Sequence, residues 1–383
     1  MSVPDDFRRR HRERFGGREQ LFASPGRVNL IGEHTDYNDG FVLPIAIDRY
    51  TFVAMTPRAG PVLEVYSEAF DEGARIELSR PFERCGGWID YVAGVAAAVI
   101  AETGDTRGGS ISIGGDLPLG AGLSSSASLE LSVALALYAL AGVRPGPRRI
   151  AAAGSRAEHD YVGIRSGVMD QLICALAISG SALLIDCRSL EASPVRLPQT
   201  AAIAVCDTTV KHALASSEYN ERRVACEEGV RILLSHGLDI RALRDVSASQ
   251  FEDVAHWLPS PIRERCRHVV YENQRTIDAA EAIGRGDLNS AGALFNASHQ
   301  SLRDLYRVSS PELDAVVACA QRIPGVYGAR MTGGGFGGAA IALLDPAAFG
   351  ALRAELEAAY YRPSGYEPHV FLVNAVSGAS AVE

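Results

Sequence analysis

One stretch of the chain, residues 117–127, restricts the possible fold more than any other. It reads LPLGAGLSSSA, follows the alternating sequence ISI at 111–113, and precedes an apolar stretch at 126–140 that contains no glycine or proline. This pattern predicts a strand, a glycine-rich turn and a buried helix. Glycines let the backbone approach an anion closely, and the first N–H groups of a helix bind phosphates. A plain structural turn would be an equal reading of the glycines alone, but the three serines favour a phosphate site, and one of them could ligate Mg²⁺.

The loop differs from the two common nucleotide-binding patterns. No lysine follows its glycines, as GxxxxGK[ST] would require, and their spacing is not GxGxxG. Lys211 is the only lysine of the chain. A fixed cation at a phosphate site must therefore be an arginine, a metal ion or Lys211 itself.

The length of 383 residues exceeds what one hydrophobic core usually supports, which predicts two domains. Ser-Pro and Leu-Pro-Gln-Thr between 190 and 200 precede a new strand at 202–206, so we expect a boundary between residues 1–198 and 199–383. The first part should contain a β-hairpin or meander over 41–55 and helices over 147–161 and 169–178. In the second part, predicted helices at 219–236, 271–283 and 311–322 alternate with predicted strands at 328–331, 339–344 and 369–376. The expected fold class is α+β.

The composition argues against several classes of protein. The formal net charge of −9 disfavours nucleic-acid binding, which a basic surface usually supports. Seven dispersed cysteines without a CxxC pair indicate reduced thiols rather than disulfides or a zinc site. There is no apolar run of the ~18 residues that a membrane helix needs, and no signal-peptide core. We expect a cytoplasmic monomer that acts on small molecules, without a membrane partner.

A second unusual segment, residues 26–38, reads GRVNLIGEHTDYN. Its charged side chains lie among apolar ones, and burying charges without a purpose is unfavourable. Carboxylates that accept several hydroxyl protons are what a polyol substrate requires. An exposed polar turn remains the alternative, above all for its last residues, and no further histidine cluster supports a metal site at His34 and Asp36.

Taken together, these segments resemble a known family. Residues 26–38 are similar to the galactokinase signature, and residues 118–127 resemble the phosphate loop of the GHMP small-molecule kinases. TGGGFGG at 332–338 resembles the third motif of that superfamily. GVMDQ at 167–171, and SEYN at 217–220 followed by two arginines, are similar to galactokinases in particular. The matches extend in family order from about residue 22 to the 340s.

The resemblance implies a two-lobed GHMP kinase fold with the active site between the lobes. It implies transfer of the γ-phosphoryl group of ATP to the C1 hydroxyl of α-D-galactose, with Mg²⁺ as cofactor. The positions that match the family's sugar contacts are Arg27, Glu33, His34, Asp36, Gly167, Asp170 and Tyr219. Those that match its Mg²⁺ ligands are Ser126 and Glu158. Those of the ATP loop are Gly120, Ala121, Gly122, Leu123, Ser124, Ser125, Ser126 and Ala127.

Asp170 and Arg27 are the expected catalytic pair. Asp170 would accept or orient the proton of the attacking hydroxyl, while Arg27 would keep it ionised and stabilise charge on the phosphoryl group. Simpler structural readings exist for several positions. Asp170 could be a helix-start residue, Glu158 a surface acid, Tyr219 part of an amphipathic helix, and the glycines at 333–338 a tight turn.

Two departures and three other functions stay open. The family segment that corresponds to 298–309 usually carries acids where Leu305 and Arg307 stand, which concerns lobe packing rather than catalysis. The other functions are a kinase for a related sugar such as N-acetylgalactosamine or arabinose, a non-catalytic galactose sensor, and an isoprenoid or amino-acid kinase. The complete serine-alanine run and Asp170 argue against the sensor. The charges of 27–38 argue against an apolar substrate.

Overall fold

The computed structural model describes residues 3–163, 167–211 and 215–383, and the backbone alone at 211 and 215–217. The elements of the first half follow in chain order: α1 (Val3–Phe15), β1 (Gln20–Asn29), β2 (Phe41–Val42), β3 (Pro44–Pro57), β4 (Val62–Ser67), β5 (Glu72–Glu77), α2 (Ile89–Thr103), β6 (Gly109–Gly115), α3 (Ser125–Leu140), α4 (Pro147–Arg156), α5 (Met169–Leu176), β7 (Ser181–Asp186) and β8 (Ala192–Arg196).

The second half continues with β9 (Ala202–Lys211), α6 (Ala215–Ser235), α7 (Ala248–Val254), α8 (Ile262–Gly284), α9 (Leu288–Ser301), α10 (Pro311–Ala320), β10 (Val326–Met331), β11 (Gly337–Leu344), α11 (Phe349–Leu356), α12 (Arg362–Ser364), β12 (Val370–Val373) and β13 (Ser380–Val382). The mixture of helices and sheets confirms the α+β class. Of the helices in the described ranges, none is long and apolar enough to cross a membrane.

The described strands form three sheets. The first has the order β13-β1-β3-β6-β4-β5, the second β10-β11-β9-β12, and the third β2-β7-β8. The pairings are antiparallel except that of β4 with β6. Because β13 pairs with β1, the end of the chain returns to the sheet of the first half. The boundary expected at residue 198 stays a prediction.

Helix α3 is buried over most of its surface, as its apolar sequence predicts. Leu131, Val133 and Tyr138 have no exposed surface, and they belong to a core with sheet residues such as Val53 and Ile111. Burying each such side chain contributes about 1.5–3 kcal/mol, so this helix is a main stabilising element of the first half. Its first turn holds the predicted phosphate loop against a rigid sheet.

A separate apolar cluster joins the two halves of the chain. It brings Leu30 and Ile45 of the first half together with Val205, Phe295 and Ile341 of the second. The segment 26–38 contributes Val28, Leu30 and Ile31 to this cluster, and its charged residues lie next to them in the chain. Its charged side chains are therefore held between the halves, which is where the family resemblance places the active site.

Several predicted element bounds require correction. Residues 41–55 do not form a hairpin or meander: β2 pairs with β7, while β3 continues as one strand through 48–50 and pairs with β1 and β6. Asp48 and Arg49 have no paired residue in β1, because the register shifts from Pro25 opposite Tyr50 to Gly26 opposite Ile47, and β3 continues through this irregularity as one strand. Helix α8 begins nine residues before the expected 271, and β12 is shorter than 369–376.

Candidate active site

A polar cavity of about 430 Å³ lies where the signature segment, the start of α5, helix α6 and the third glycine motif meet. All seven predicted sugar contacts line it: Arg27, Glu33, His34, Asp36, Gly167, Asp170 and Tyr219. Its wall also contains residues that were not predicted as contacts: Gly163, Met169, Asn220, Gly333 and Gly334. Met169, Asn220 and the two motif glycines lie inside segments that the sequence singled out, whereas nothing in the sequence pointed to Gly163.

Arg27 and Asp170 form a two-pronged ion pair in this cavity. Arg27 Nε donates to Asp170 Oδ1 at 2.8 Å and Nη2 to Oδ2 at 2.7 Å. Burial alone would lower the pKa of Arg27, but the Asp170 carboxylate outweighs it and the pKa is raised. Arg27 is therefore a permanent cation beside the carboxylate. Its Nη1 also donates to the carbonyl of Gly122 at 2.6 Å, which ties the pair to the phosphate loop.

The Ser124 hydroxyl donates a third hydrogen bond to Asp170, at Oδ2. Ser124 precedes α3 with a left-handed φ of 58°, and Asp170 lies in the first turn of α5. An acid at this helix position is stabilised by the helix dipole, so the structural reading of Asp170 is compatible with the functional one. The carboxylate is oriented by groups from two other segments of the chain.

Asp36 is another acidic residue of the cavity and lies near Asp170. Burial, with a further contribution from the Asp170 charge, raises the pKa of Asp36 from 3.8 to about 6. A Cβ atom at Gly167 would lie 1.6 Å from Asp36 Oδ2, so the segment before α5 approaches this carboxylate as closely as a glycine permits. The cavity thus holds one carboxylate paired with a cation and one that is easily protonated.

His34 is held in one tautomer. Its Nε2 lies 3.2 Å from the Gly334 carbonyl, which can only accept, so Nε2 carries the proton. Nδ1 then accepts from the Tyr37 hydroxyl at 2.7 Å, and Tyr37 in turn accepts from Tyr306 at 2.8 Å. Burial lowers the pKa of His34 to about 3, so the ring is neutral. The ring of Tyr219 lies 5.4 Å from the His34 ring and completes this wall.

Glu33 is buried and held from the second half of the chain. Its Oε1 accepts from the Gly333 N–H at 3.0 Å, and its Oε2 pairs with Arg330. Burial raises the pKa of Glu33, while Arg330 acts in the opposite direction. Arg330 could not be selected from the sequence, because nothing in its own segment shows that it would contact residue 33.

A second cavity, of about 390 Å³, lies beside the serine turn. Ser125 and Ser126 line it together with apolar and aromatic side chains: Phe70, Trp88, Tyr91, Leu117, Leu119 and Leu129. The Phe70 and Trp88 rings are stacked, with centroids 6.1 Å apart and planes inclined by 13°. Such a wall suits a flat heteroaromatic ring, and Ser124, which contacts Asp170, directly precedes the two lining serines.

The residues of the predicted ATP loop differ in whether their side chains or only their backbone atoms could contact a ligand. The side chains of Ala121, Leu123 and Ala127 are buried in the core, so only their backbones could contact a phosphate. Gly120 and Gly122 have φ values of 71° and 76°, in the region that favours glycine. A Cβ atom at Gly333 would lie 3.3 Å from the Gly122 carbonyl, which shows that the third motif packs against this loop.

The two expected Mg²⁺ ligands lie next to each other. The Ser126 hydroxyl donates to Glu158 Oε1 at 3.3 Å, and Gln171 Nε2 donates to Glu158 Oε2 at 2.9 Å and to Glu130 Oε2 at 3.0 Å. A hydroxyl and a carboxylate are the hard oxygen donors that Mg²⁺ prefers, usually with phosphates and waters. Within the described ranges there is no group of three or more acidic, cysteine or histidine side chains that could hold a metal.

The departures at Leu305 and Arg307 lie in a segment held through its backbone. Arg222 donates from Nε to the Tyr306 carbonyl at 2.9 Å and from Nη2 to the Arg307 carbonyl at 2.8 Å, and Arg265 donates to the Leu305 carbonyl. These contacts do not depend on the side chains at 305 and 307.

Lys211 ends β9, and its side chain lies outside the described residues.

Three family models of known proteins match separate parts of the chain. Residues 9–57 match the galactokinase galactose-binding signature, residues 90–177 the GHMP kinases N terminal domain, and residues 279–362 the GHMP kinases C terminal domain. The galactokinase of Chloroflexus aurantiacus is 45% identical over 364 residues, which cover 95% of this chain and 93% of that protein. The galactokinase of Haemophilus influenzae is 40% identical, with 94% of each chain covered.

Solved structures give the same result. The galactokinase of Lactococcus lactis, crystallised with galactose, superposes with a TM-score of 0.95 at 34% identity and covers 100% of both chains. The mevalonate kinase of Methanococcus jannaschii shares the fold, with a TM-score of 0.67 at 18% identity over 94% of this chain and 99% of its own. The resemblance read from the motifs and the expected GHMP kinase fold are both confirmed. By sequence and by structure, the chain belongs to the galactokinase family of ATP-dependent GHMP sugar kinases.

Proposed function

We propose that the protein transfers the γ-phosphoryl group of ATP to the C1 hydroxyl of α-D-galactose, giving galactose 1-phosphate and ADP. The observation that carries this proposal is the Asp170 carboxylate, oriented by Arg27 and Ser124 in a polar cavity that adjoins a serine-lined one. The first cavity offers a site for a polyol and the second a site for a nucleotide. Asp170 lies next to the turn that joins them.

Sugar recognition would use groups of complementary hydrogen-bonding type. Glu33 and Asp36 would accept hydrogen bonds from sugar hydroxyl groups, and the N–H groups of Arg27 would donate to sugar oxygens. A cavity of about 430 Å³ is in the usual range for small-molecule sites. Gly167 would have no side chain with which to bind, and its contribution is the space that it leaves for Asp36.

Catalysis would rest on positioning and electrostatics, as in other phosphoryl transfers. Asp170 would orient the C1 hydroxyl and take its proton as the hydroxyl oxygen attacks the γ-phosphorus. Arg27 would keep Asp170 ionised, and its charge would stabilise the negative oxygens of the transferring group. The bond from the γ-phosphorus to the bridging oxygen then breaks, and ADP leaves.

The nucleotide would occupy the aromatic cavity and the glycine-serine loop. Its base would contact Phe70 and Trp88, and its phosphates would accept from backbone N–H groups of residues 120–127 at the start of α3. Ser126 and Glu158 fit a Mg²⁺ ion that also contacts the phosphates, since Mg²⁺ typically uses one or two protein oxygens there. When bound, the ion would neutralise charge on the phosphate oxygens.

We also propose that the protein acts as a monomer in the cytoplasm. ATP as co-substrate supports a location where this nucleotide is abundant.

The test is ADP release from ATP and Mg²⁺ with a panel of acceptors: galactose, 2-deoxygalactose, N-acetylgalactosamine, arabinose, glucose and mevalonate. We expect turnover with galactose far above that with the others. If turnover is highest with another sugar, the kinase activity would be supported but galactose would be rejected as the substrate. Galactose binding without ADP formation, measured by calorimetry on the same preparation, would instead support a sensor.

A further inference from the structure

Behind the sugar cavity, four charged side chains form an alternating series that we call the buried ion chain: Glu33, Arg330, Glu272 and Arg275. Arg330 Nη2 pairs with Glu33 Oε2 and lies 3.7 Å from Glu272 Oε1. Glu272 Oε2 accepts from Arg275 Nε at 2.7 Å. Two negative and two positive groups therefore alternate from the cavity wall to helix α8.

The two central members are fully buried. The side chains of Arg330 and Glu272 have 0% exposure, and that of Glu33 has 2%. Buried charges are stable only when they are paired and hydrogen-bonded. Arg330 Nη1 donates to the Leu30 carbonyl at 2.9 Å, and Glu272 Oε1 accepts from the Gly32 N–H at 3.2 Å and from the Ser298 hydroxyl. The series is thus anchored on both sides to the segment that carries Glu33.

The buried ion chain connects three segments that are far apart in sequence. Glu33 belongs to the signature segment, Arg330 to β10 just before the third glycine motif, and Glu272 to α8. An ion pair with a purely structural role could join any two of these segments. What distinguishes this one is that its first member, Glu33, also lines the sugar cavity.

We propose that Arg330 is a positioning residue that keeps the Glu33 carboxylate ionised and directed at the sugar, and that Glu272 limits the strength of this effect. The proposal rests on the proposed function, because it assigns a role in galactose binding. Arg330 and Glu33 attract each other, whereas Glu272 repels Glu33 and draws Arg330 towards itself. Changes at 330 and 272 should therefore act on Glu33 in opposite directions.

Other groups around Glu33 bear on its ionisation. Arg330 faces it from β10, Glu272 from α8, and Arg27 interacts with it from β1. His268 of α8 donates from Nε2 to the Glu33 carbonyl at 3.1 Å, and burial lowers the pKa of His268 to about 4, so it is neutral. Asp36 titrates in the same cavity. Because it should do so in every variant, its effect on galactose affinity cancels when the pH profiles of the variants are compared.

The experiment measures galactose affinity by calorimetry from pH 5.5 to 8.5 in the wild type and in Arg330→Met, Glu272→Gln and Glu33→Gln. Hydrogen bonds to a charged acceptor are about twice as strong as those to a neutral one, so we expect Arg330→Met to weaken galactose binding about tenfold at pH 7. Affinity should recover as the pH rises and Glu33 ionises. Glu272→Gln should shift the same transition to lower pH, and Glu33→Gln should abolish it.

Two comparisons separate positioning from loss of structure. ATP affinity should stay within twofold of the wild type in each variant. Glu19→Gln is the matched control, since Glu19 is a buried partner of Arg12 that does not line the sugar cavity. It should lower the unfolding midpoint without changing the pH profile of galactose binding.

The outcomes decide the proposal. Equal loss of sugar and ATP affinity in Arg330→Met, or a profile that coincides with the wild type, would overturn it. If Arg330→Met is insoluble, Arg330→Gln, which also removes the positive charge, replaces it, and a transition unshifted from the wild type would again overturn the proposal. Absence of galactose binding in the wild-type protein would reject the proposed function instead.

Discussion

Gly167 leaves room for the Asp36 carboxylate: a Cβ atom at position 167 would lie 1.6 Å from Asp36 Oδ2 and 2.2 Å from its Cγ. Contacts this short cannot be tolerated, so a side chain at 167 must displace either the segment before α5 or the carboxylate. Both are parts of the sugar cavity. The glycine is therefore required by its neighbour rather than by a turn.

This contact predicts the effect of Gly167→Ala. We expect the KM for galactose to rise at least tenfold, because Asp36 loses its position, while the KM for ATP changes less than twofold. Steady-state kinetics with each substrate varied in turn would measure both. Gly350→Ala is a useful comparison, since a Cβ atom at position 350 would meet no other atom within 4 Å and Gly350 does not line the cavity. An unchanged galactose KM in Gly167→Ala would contradict the assignment.

Asp170→Asn tests the catalytic carboxylate. General-base assistance typically contributes about 10²–10⁴-fold, so we expect kcat to fall within that range. Galactose and ATP binding should be retained, as calorimetry on the inactive variant would show. The change leaves Arg27 without its anionic partner, so the unfolding midpoint must be recorded as a control. Near wild-type turnover with both substrates bound would exclude proton transfer to Asp170.

Most residues that line the polar cavity could be selected from the sequence because each motif is local. Arg27 and Asp36 lie in one short segment, and Asp170 lies at the start of a helix whose apolar pattern is readable. Arg330 escaped prediction because its role depends on Glu33, which is almost 300 positions away. The hairpin expected at 41–55 was wrong because Asp48 and Arg49, which have no paired residue in β1, are accommodated within one continuous strand instead of ending it.

Asp36 should make the stability of the empty protein depend on pH. Its pKa is raised to about 6 in the folded state, so between about pH 4 and pH 6 the folded state binds more protons than the unfolded state. The raised pKa of Asp36 therefore stabilises the folded state at low pH, and this stabilisation is lost as the pH rises through 6. We expect the wild type to lose about 1 kcal/mol relative to Asp36→Asn between pH 5 and pH 7.

Urea unfolding of both proteins at several pH values would measure this difference. Titrating groups that do not interact with Asp36 contribute equally to the two curves and cancel in the difference. Parallel curves would show that Asp36 titrates near its usual value. A difference of opposite sign would mean that Asp36 is ionised in the folded state by a cation that the described contacts do not include.

Ser126 and Glu158 should control the dependence on Mg²⁺. Mutation of an outer-shell partner of a metal ligand typically costs about 10–100-fold in metal affinity, so we expect Glu158→Gln, which removes a ligand, to raise the Mg²⁺ concentration needed for half-maximal rate at least tenfold. Mg²⁺-dependent ATP binding, measured by calorimetry without sugar, should change in parallel. Glu102→Gln serves as a control, because Glu102 pairs with Arg149 and lines neither cavity. Equal Mg²⁺ dependence in both variants would remove Glu158 from the site.

Trp88 offers a direct test of the nucleotide-base cavity. Stacking of a base on an aromatic ring contributes about 1–3 kcal/mol, so we expect Trp88→Ala to raise the KM for ATP at least fivefold. The KM for galactose should stay within twofold, since Trp88 does not line the sugar cavity. The chain has two tryptophans, and Trp257 stacks on His236 in the second half, with ring centroids 4.8 Å apart.

Each tryptophan can therefore be observed alone. In Trp257→Phe the remaining indole lies in the aromatic cavity, and ATP should quench its fluorescence with a midpoint close to the KM for ATP. In Trp88→Phe the remaining indole lies in the other half of the chain, and ATP should leave its emission unchanged. Quenching that persists in Trp88→Phe and is absent from Trp257→Phe would move the base out of this cavity. Because Ser126 lines the same cavity, the path of the phosphates would then have to be reassigned as well.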